Sequence, residues 1–425
     1  TLQGSAGGSL LVSNVGKGTL RLTDIDVSNS LGGGIGIINY GPLILTRVSS
    51  NRNEAEGAWL QTAEWDGSKY IPKGSITINS SSFNGNGTGG NTIGLIITSG
   101  GATLLNGVSV TGNTGDGAQI QTYTLSPIVI KNSIFSHNID NPDQDGSGLG
   151  LVVAGHSGAS ITLENVTLDG NDEDGGYLFT TIGSITLKQV RAGNNGRYGI
   201  LISGAYNSGT SGAKNVTVAN SAFFNNTYDN LAIFSSGAVK ITNLQSANSR
   251  LRKGLSINNT FGVTQPVTIL GAVLTGNFMS GASIDTNGAV LLAGIQASEN
   301  LGNGLLISQV SSAATGNIAV SGSLGLNRFN GNDGLGLSIF FARKNVSLSS
   351  VQAVGNSFSA VDIHGAGLAS NVTLVNVEAS GSTGGGTRGV YIQTSGVVLL
   401  DRVTAMDNAE TGIYIDNDHA TYARA

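Results

Sequence analysis

The chain has 425 residues with a formal net charge of −5, and only 11% of them are Asp, Glu, Lys or Arg, so nothing in it attracts nucleic acid or an anionic membrane surface. Cysteine is absent, which excludes disulfides and thiolate metal sites, and no stretch approaches the roughly 18 consecutive apolar residues of a membrane-inserted helix. Glycine is abundant at 65 residues, proline is scarce at 5, and one texture of Gly, Ser, Thr and Asn among alternating aliphatics runs throughout, so residues 1–425 read as one elongated domain, whole or a segment of a longer surface protein.

The elements begin at once: "GSLLVS" (8–13) and "GTLRLTDIDVSN" (18–29) alternate apolar and polar residues with a period of two, which predicts strands. From there a small residue opens each strand-like phrase: Gly34, Gly57, Gly94, Gly117, Gly150, Gly176, Gly199, Asn230, Gly254, Gly281, Gly304, Gly336, Ala360, Gly389 and Gly412. These 15 anchors lie 27 residues apart on average, and five gaps are 23, the behaviour of a solenoid with insertions. After each anchor, apolar residues fall at the first and third places, as in Leu95 and Ile97, Ile200 and Ile202, or Ile413 and Ile415. A glycine-containing turn and a second alternating run such as "SITLKQV" (184–190) follow. Neither run can fold alone, but stacked in register each would pair with its copies one coil above and below at about 4.8 Å.

Four residues before the anchor, asparagine recurs at Asn53, Asn113, Asn195, Asn226, Asn277, Asn300, Asn332, Asn356 and Asn408. A corner leaves backbone groups without partners, and an asparagine repeated there can serve them while bonding to its copies as a ladder. This pattern resembles the right-handed parallel β-helix repeats of pectate-lyase-like proteins, phage tailspikes and bacterial surface fibres. The resemblance covers essentially the whole chain and implies an all-β, single-stranded β-helix of about 15 coils. It does not choose among the lyases, epimerases, hydrolases, adhesins and fibre proteins that share the fold.

Along that scaffold, the insertion "QTAEWDGSKYIPKG" (61–74) carries Trp65 and Tyr70 just after Trp59, aromatics suited to a surface glycan or a partner, or to a packed flap. The second place after each anchor faces outward, and from Ile96 through Val152, Leu178 and Leu201 it is mostly aliphatic, as expected of an interface. The corners "NIDNPDQDGSG" (138–148) and "LDGNDEDGG" (168–176) gather Asp143, Asp145, Asp172 and Asp174, oxygen ligands of the kind Ca²⁺ takes, with Arg197 at the next corner. The lyases of this fold abstract a proton beside a Ca²⁺-neutralised uronate, and that resemblance would make Arg197 the base. No adjacent Asp pair marks a hydrolase, and the four histidines, His137, His156, His364 and His419, read as turn or surface residues. Eight glycosylation sequons, at Asn79, Asn86, Asn165, Asn215, Asn225, Asn258, Asn345 and Asn371, fit an extracellular or cell-surface location.

Low charge, missing catalytic signatures and the aliphatic strip favour a non-catalytic structural or adhesive solenoid. Repeat strands at both ends of the sequence lead us to expect head-to-tail self-association into filaments. The alternative is a Ca²⁺-dependent polysaccharide lyase or epimerase acting on uronate polymers.

Overall fold

The computed structural model describes residues 9–90, 92–140, 148–203, 214–261, 264–309, 314–365 and 370–417. It is a parallel β-solenoid of about 15 turns, and the helical content among the described residues is a single 3-10 turn at Gly322–Leu324. The chain divides into two compact units, Thr1–Tyr206 with Gly212–Lys214, and Asn207–Ser211 with Asn215–Ala425. No helix among the described residues is long and apolar enough to cross a membrane.

In each unit the strand that follows the anchor joins a front sheet, parallel and in register with its neighbours. In the first unit Ile37 meets Leu60, Ile97, Ile120, Val153, Leu178 and Ile202 in turn, one column of fully buried aliphatics. In the second, Ile257, Ile284, Ile307, Ile339, Ile363 and Ile392 repeat the arrangement, and Ile415 continues the column in the last described strand, where it is 41% exposed. Many of the back strands are longer, at seven to nine residues, and bent. In Ile128–Ser136, Ile161–Thr167, Val216–Phe224, Val239–Ala247 and Val372–Ser380 the fifth residue is Asn132, Asn165, Asn220, Asn243 or Asn376, each with φ between 50° and 56°. Asparagine tolerates that left-handed conformation better than most residues. The bend shifts the alternation, so buried residues occur at positions one and three before it and six and eight after it, as in Ile128, Ile130, Ser133 and Phe135.

The ladder forms, and it is longer than the spacing rule finds. In the first unit Asn53, Asn86, Asn113, Asn138, Asn171 and Asn195 are linked by amide hydrogen bonds of 3.0 Å. Asn171 illustrates why burial is tolerated: its Nδ2 donates to Asn195 Oδ1 and to the Phe135 carbonyl, and its Oδ1 accepts from the amide and side chain of Asn138. All four hydrogen-bonding places are filled, and an unfilled one would cost about 1–3 kcal/mol. Insertions before the anchor hid Asn86 and Asn138 from a fixed offset of four. Asn86 is fully buried, so its sequon cannot carry a glycan in the folded protein.

The ladder also explains the anchors. A Cβ at Gly57, Gly94, Gly117, Gly150, Gly254, Gly281, Gly304, Gly336 or Gly389 would lie 2.5–2.9 Å from the Nδ2 of the ladder asparagine one coil on. Only glycine leaves that space. Two anchors are not glycine, and both precede a coil in which serine replaces the asparagine: Asn230 before Ser249, and Ala360 before Ser382. At the first of these, the Asn230 side chain bridges the gap, with its Oδ1 accepting from Asn226 at 2.8 Å and its Nδ2 donating to Asn277 at 3.3 Å.

One reading is corrected. In the fragment "GGYLF" the anchor is Gly175, because Tyr177, not Leu178, pairs with Val152 and Leu201 on the outer face. Leu178 is fully buried in the core column, and Gly176 occupies an inward place where other coils carry aliphatics. Two successive glycines displaced the register by one, which inverts every side chain of the strand.

Candidate functional site

Because strands alternate, each front strand sends its second and fourth residues outward, and in-register stacking brings equivalent side chains of successive coils into contact. In the second unit the last three described front strands are Val361–Gly365, Arg388–Gln393 and Thr411–Asp416. Their pairing sets Asp362 beside Tyr391 and Tyr391 beside Tyr414 in one column, and His364, Gln393 and Asp416 in the other. Chemistry of several kinds thus converges on one patch.

His364 lies in its centre. Its Nε2 is 2.8 Å from Asp362 Oδ1 and its Nδ1 is 3.2 Å from Gln393 Oε1, whose own Nε2 donates to Asp416 Oδ2 at 3.4 Å. The imidazole stacks on Phe340 with centroids 4.8 Å apart and meets the Tyr391 ring at 4.9 Å. Burial pulls its pKa down, but Asp362 and the Gln393 contact outweigh that loss and hold it above the ordinary histidine value, against a smaller opposing effect of Arg388. Tyr391 and Tyr414 stack at 5.7 Å, and the Arg388 guanidinium lies 4.6 Å from each ring centroid. Arg388 makes no ion pair among the described residues, so its hydrogen-bonding fork is available to an anionic ligand. Burial, followed by the nearby Asp416 carboxylate, raises the Tyr391 pKa and keeps the phenol protonated.

The expectation that His364 is a turn or surface residue is therefore corrected: it sits on the strand and is only partly exposed. The signal was present in the sequence. Aligned on their inward residues, "VDIHG", "GVYIQ" and "GIYID" place Asp, Tyr, Tyr in one column and His, Gln, Asp in the next.

The acidic corner of the first unit is arranged differently. Asp143 and Asp145 lie outside the described residues. Asp172 is exposed and its Oδ2 accepts from the Asp140 amide at 3.0 Å, whereas Asp174 is buried and its Oδ1 accepts from the Tyr198 amide at 3.0 Å. Each is committed to the backbone of a neighbouring coil, and no three His, Cys, Asp or Glu side chains among the described residues are placed to hold a metal ion. Burial pushes the Asp174 carboxyl up to about 6, against the Tyr198 amide and the Arg197 charge. Arg197 pairs with Glu173 at 2.6 Å and lies 3.9 Å from Asp174. Although burial works against the charge, these acids hold its pKa above the usual value, the opposite of what a general base needs.

The tryptophan insertion is an antiparallel hairpin, Ala63–Trp65 with Tyr70–Pro72. It is held by a row of rings: Trp65 meets Tyr70 tilted at 5.0 Å, Tyr70 stacks on Tyr123 at 4.4 Å, Tyr123 stacks on His156 at 4.8 Å, and His156 meets Phe179 tilted at 5.9 Å. Trp65 remains 54% exposed at the end of this row, while Trp59, Ile96, Val152 and Leu201 are half-buried on the outer face.

No protein-family model and no curated protein matches the sequence. Among solved structures, the chain is similar to the mannuronan C-5 epimerase AlgE4 A-module of Azotobacter vinelandii, with 14% identity over 90% of each chain and a TM-score of 0.40. The AlgE6 A-module from the same organism gives 15% identity over 94% of this chain and 89% of that one, at 0.35. The periplasmic alginate epimerase AlgG gives 13% over 87% and 78%, at 0.42. These likenesses assign no residue of this chain a role.

Proposed function

We propose that the protein acts on a uronate polymer as an epimerase or lyase, at the outer front face of the second unit. The observation that carries this reading is the convergence of Arg388, His364, Asp362 and Tyr391 on one patch of an otherwise sparsely charged surface. The proton at C5 of a uronate is adjacent to a carboxylate, and removing it places a second negative charge on that group. A guanidinium paired with the carboxylate stabilises the charge as it develops. In this reading Tyr414, as its phenolate, takes the C5 proton, and the Tyr391 phenol, held protonated, returns one, so that one ring gains the proton the other gives up. Return of the proton to the opposite side of C5 inverts the centre; loss of the C4 oxygen instead gives an unsaturated sugar and breaks the chain. A polymer substrate fits an open sheet face better than a closed pocket, and implies a location outside the cytoplasm.

Titration calorimetry with polymannuronate, polygalacturonate and a neutral glucan tests the recognition. Uronate polymers should bind and the neutral glucan should not, and Arg388→Ala should weaken binding about tenfold, ~1.4 kcal/mol. Equal affinity for neutral and acidic chains would overturn the reading.

The reading of a non-catalytic fibre or adhesin assembling end to end draws support from the half-buried Ile96, Val152 and Leu201, but Gln119 and Tyr177 interrupt that strip. Sedimentation velocity at rising concentration separates the two: growth into long polymers would favour the fibre.

A further inference from the structure

We propose that His364 is held in this site as an imidazolium, a fixed positive charge beside Arg388, and that Gln393 is the positioning residue that keeps it so. The inference starts from Asp416. Its carboxylate can only accept, so the Gln393 amide must turn its NH₂ toward it, 3.4 Å away. That orientation leaves Gln393 Oε1 facing His364 Nδ1 at 3.2 Å, and an amide oxygen is also only an acceptor. On the other side of the ring, Nε2 lies 2.8 Å from Asp362 Oδ1 as an ion-pair contact rather than along a ring N–H, and that oxygen has no hydrogen-bond partner of its own. A neutral ring that donates from Nδ1 to Gln393 would turn the lone pair of Nε2 toward a carboxylate, whereas an imidazolium sets positive charge there.

The surroundings act in the same direction. Phe340 covers one face of the ring, and Tyr391 meets it from the next strand. The charged groups around it are Asp362 on its own strand, Arg388 on the adjacent strand, and Asp416 beyond Gln393. Arg388 opposes the charge, and Asp362 with the Gln393 oxygen favours it, giving the upward direction already noted. Four residues on three successive strands thus form one relay, Asp362, His364, Gln393 and Asp416. The role in recognition rests on the reading of this face as a uronate site. Two cations then flank Tyr391, and His364 is not the group that removes a proton.

The test needs no substrate, so it fails or succeeds separately from the proposed activity. The chain has four histidines, and comparison with His364→Asn identifies the Cε1 proton of His364 in an NMR titration. His364 is expected to titrate above the ordinary value of about 6.5. Gln393→Leu should lower that midpoint and Gln393→Glu should raise it; Asp416→Asn, which leaves the amide free to turn over, should lower it. If Gln393→Leu does not fold, the other two variants decide. A wild-type midpoint at or below the ordinary value, or one that none of the Gln393 and Asp416 variants moves, would overturn the proposal.

Discussion

The two units share an inner face and differ on the outer one. Inside, both stack Ile, Leu and Val in register, and both carry the asparagine ladder. Outside, the first unit presents Trp59, Gln61, Ile96, Gln119, Gln121, Val152, Tyr177, Phe179 and Leu201, with no formal charge among them. The same places in the second unit include Asp285, Asp362, His364 and Asp416, with Arg388 at the edge. The inner face answers to the fold and repeats; the outer face is unconstrained by it, so chemistry that gathers there calls for its own explanation.

The largest effects should come from the shared inner face. Ile202→Asp places an unpaired charge in a fully buried column, a cost of several kcal/mol that should abolish cooperative melting by calorimetry. Next comes the link between anchor and ladder. Gly336→Ala puts a Cβ 2.8 Å from Asn356 Nδ2 and 2.5 Å from the Ala360 oxygen, and should cost about 1–3 kcal/mol. Combining it with Asn356→Ser reproduces the natural pairing of Ala360 with Ser382. The double variant should be less destabilised than the sum of the singles by at least ~0.5 kcal/mol in chemical denaturation. Strict additivity would mean that anchor and ladder are independent.

A smaller effect follows from Asp174. Its folded-state carboxyl titrates at about 6, above the ordinary 3.8, so the native state binds more protons than the unfolded chain between those values. Its contribution to stability is fully present below the unfolded value and is lost as pH rises through about 6. Asp174→Asn keeps an oxygen for the Tyr198 amide and removes the titration, so the variant should lose less stability than wild type between pH 4 and pH 6 in thermal melts. The smallest change in stability should follow Trp65→Ala, which removes an exposed ring from the end of the aromatic row and should leave any activity of the second unit intact.

Period two, small anchors and recurrent asparagines made the solenoid legible, because a fold that repeats writes its constraints many times. The errors arose where the repeat was locally disturbed. Insertions moved Asn86 and Asn138 away from the fixed offset, and the pair Gly175–Gly176 shifted one strand's register and with it Leu178. The bend at the fifth residue of the back strands went unread because asparagine, glutamine, glycine, serine and arginine all occupy it, at Asn132, Gln189, Gly271, Ser350 and Arg402. The candidate site was harder for a physical reason. Asp362, His364, Arg388, Tyr391 and Asp416 are scattered over 55 residues and become neighbours only through the pairing of three coils. The acidic corner, contiguous in sequence, was easier to see, yet Asp172 and Asp174 are each bonded to a backbone amide.

The most direct measurement follows hydrogen exchange at C5. The protein would be incubated with polymannuronate and polygalacturonate in D₂O, and deuterium in the recovered sugar read by NMR, alongside folded Arg388→Ala and Tyr391→Phe variants. We predict deuterium at C5 of at least one polymer, lost in both variants and retained in Trp59→Ala. Absence of deuterium from every uronate polymer, or incorporation that survives both substitutions, would contradict the assignment of chemistry to this face.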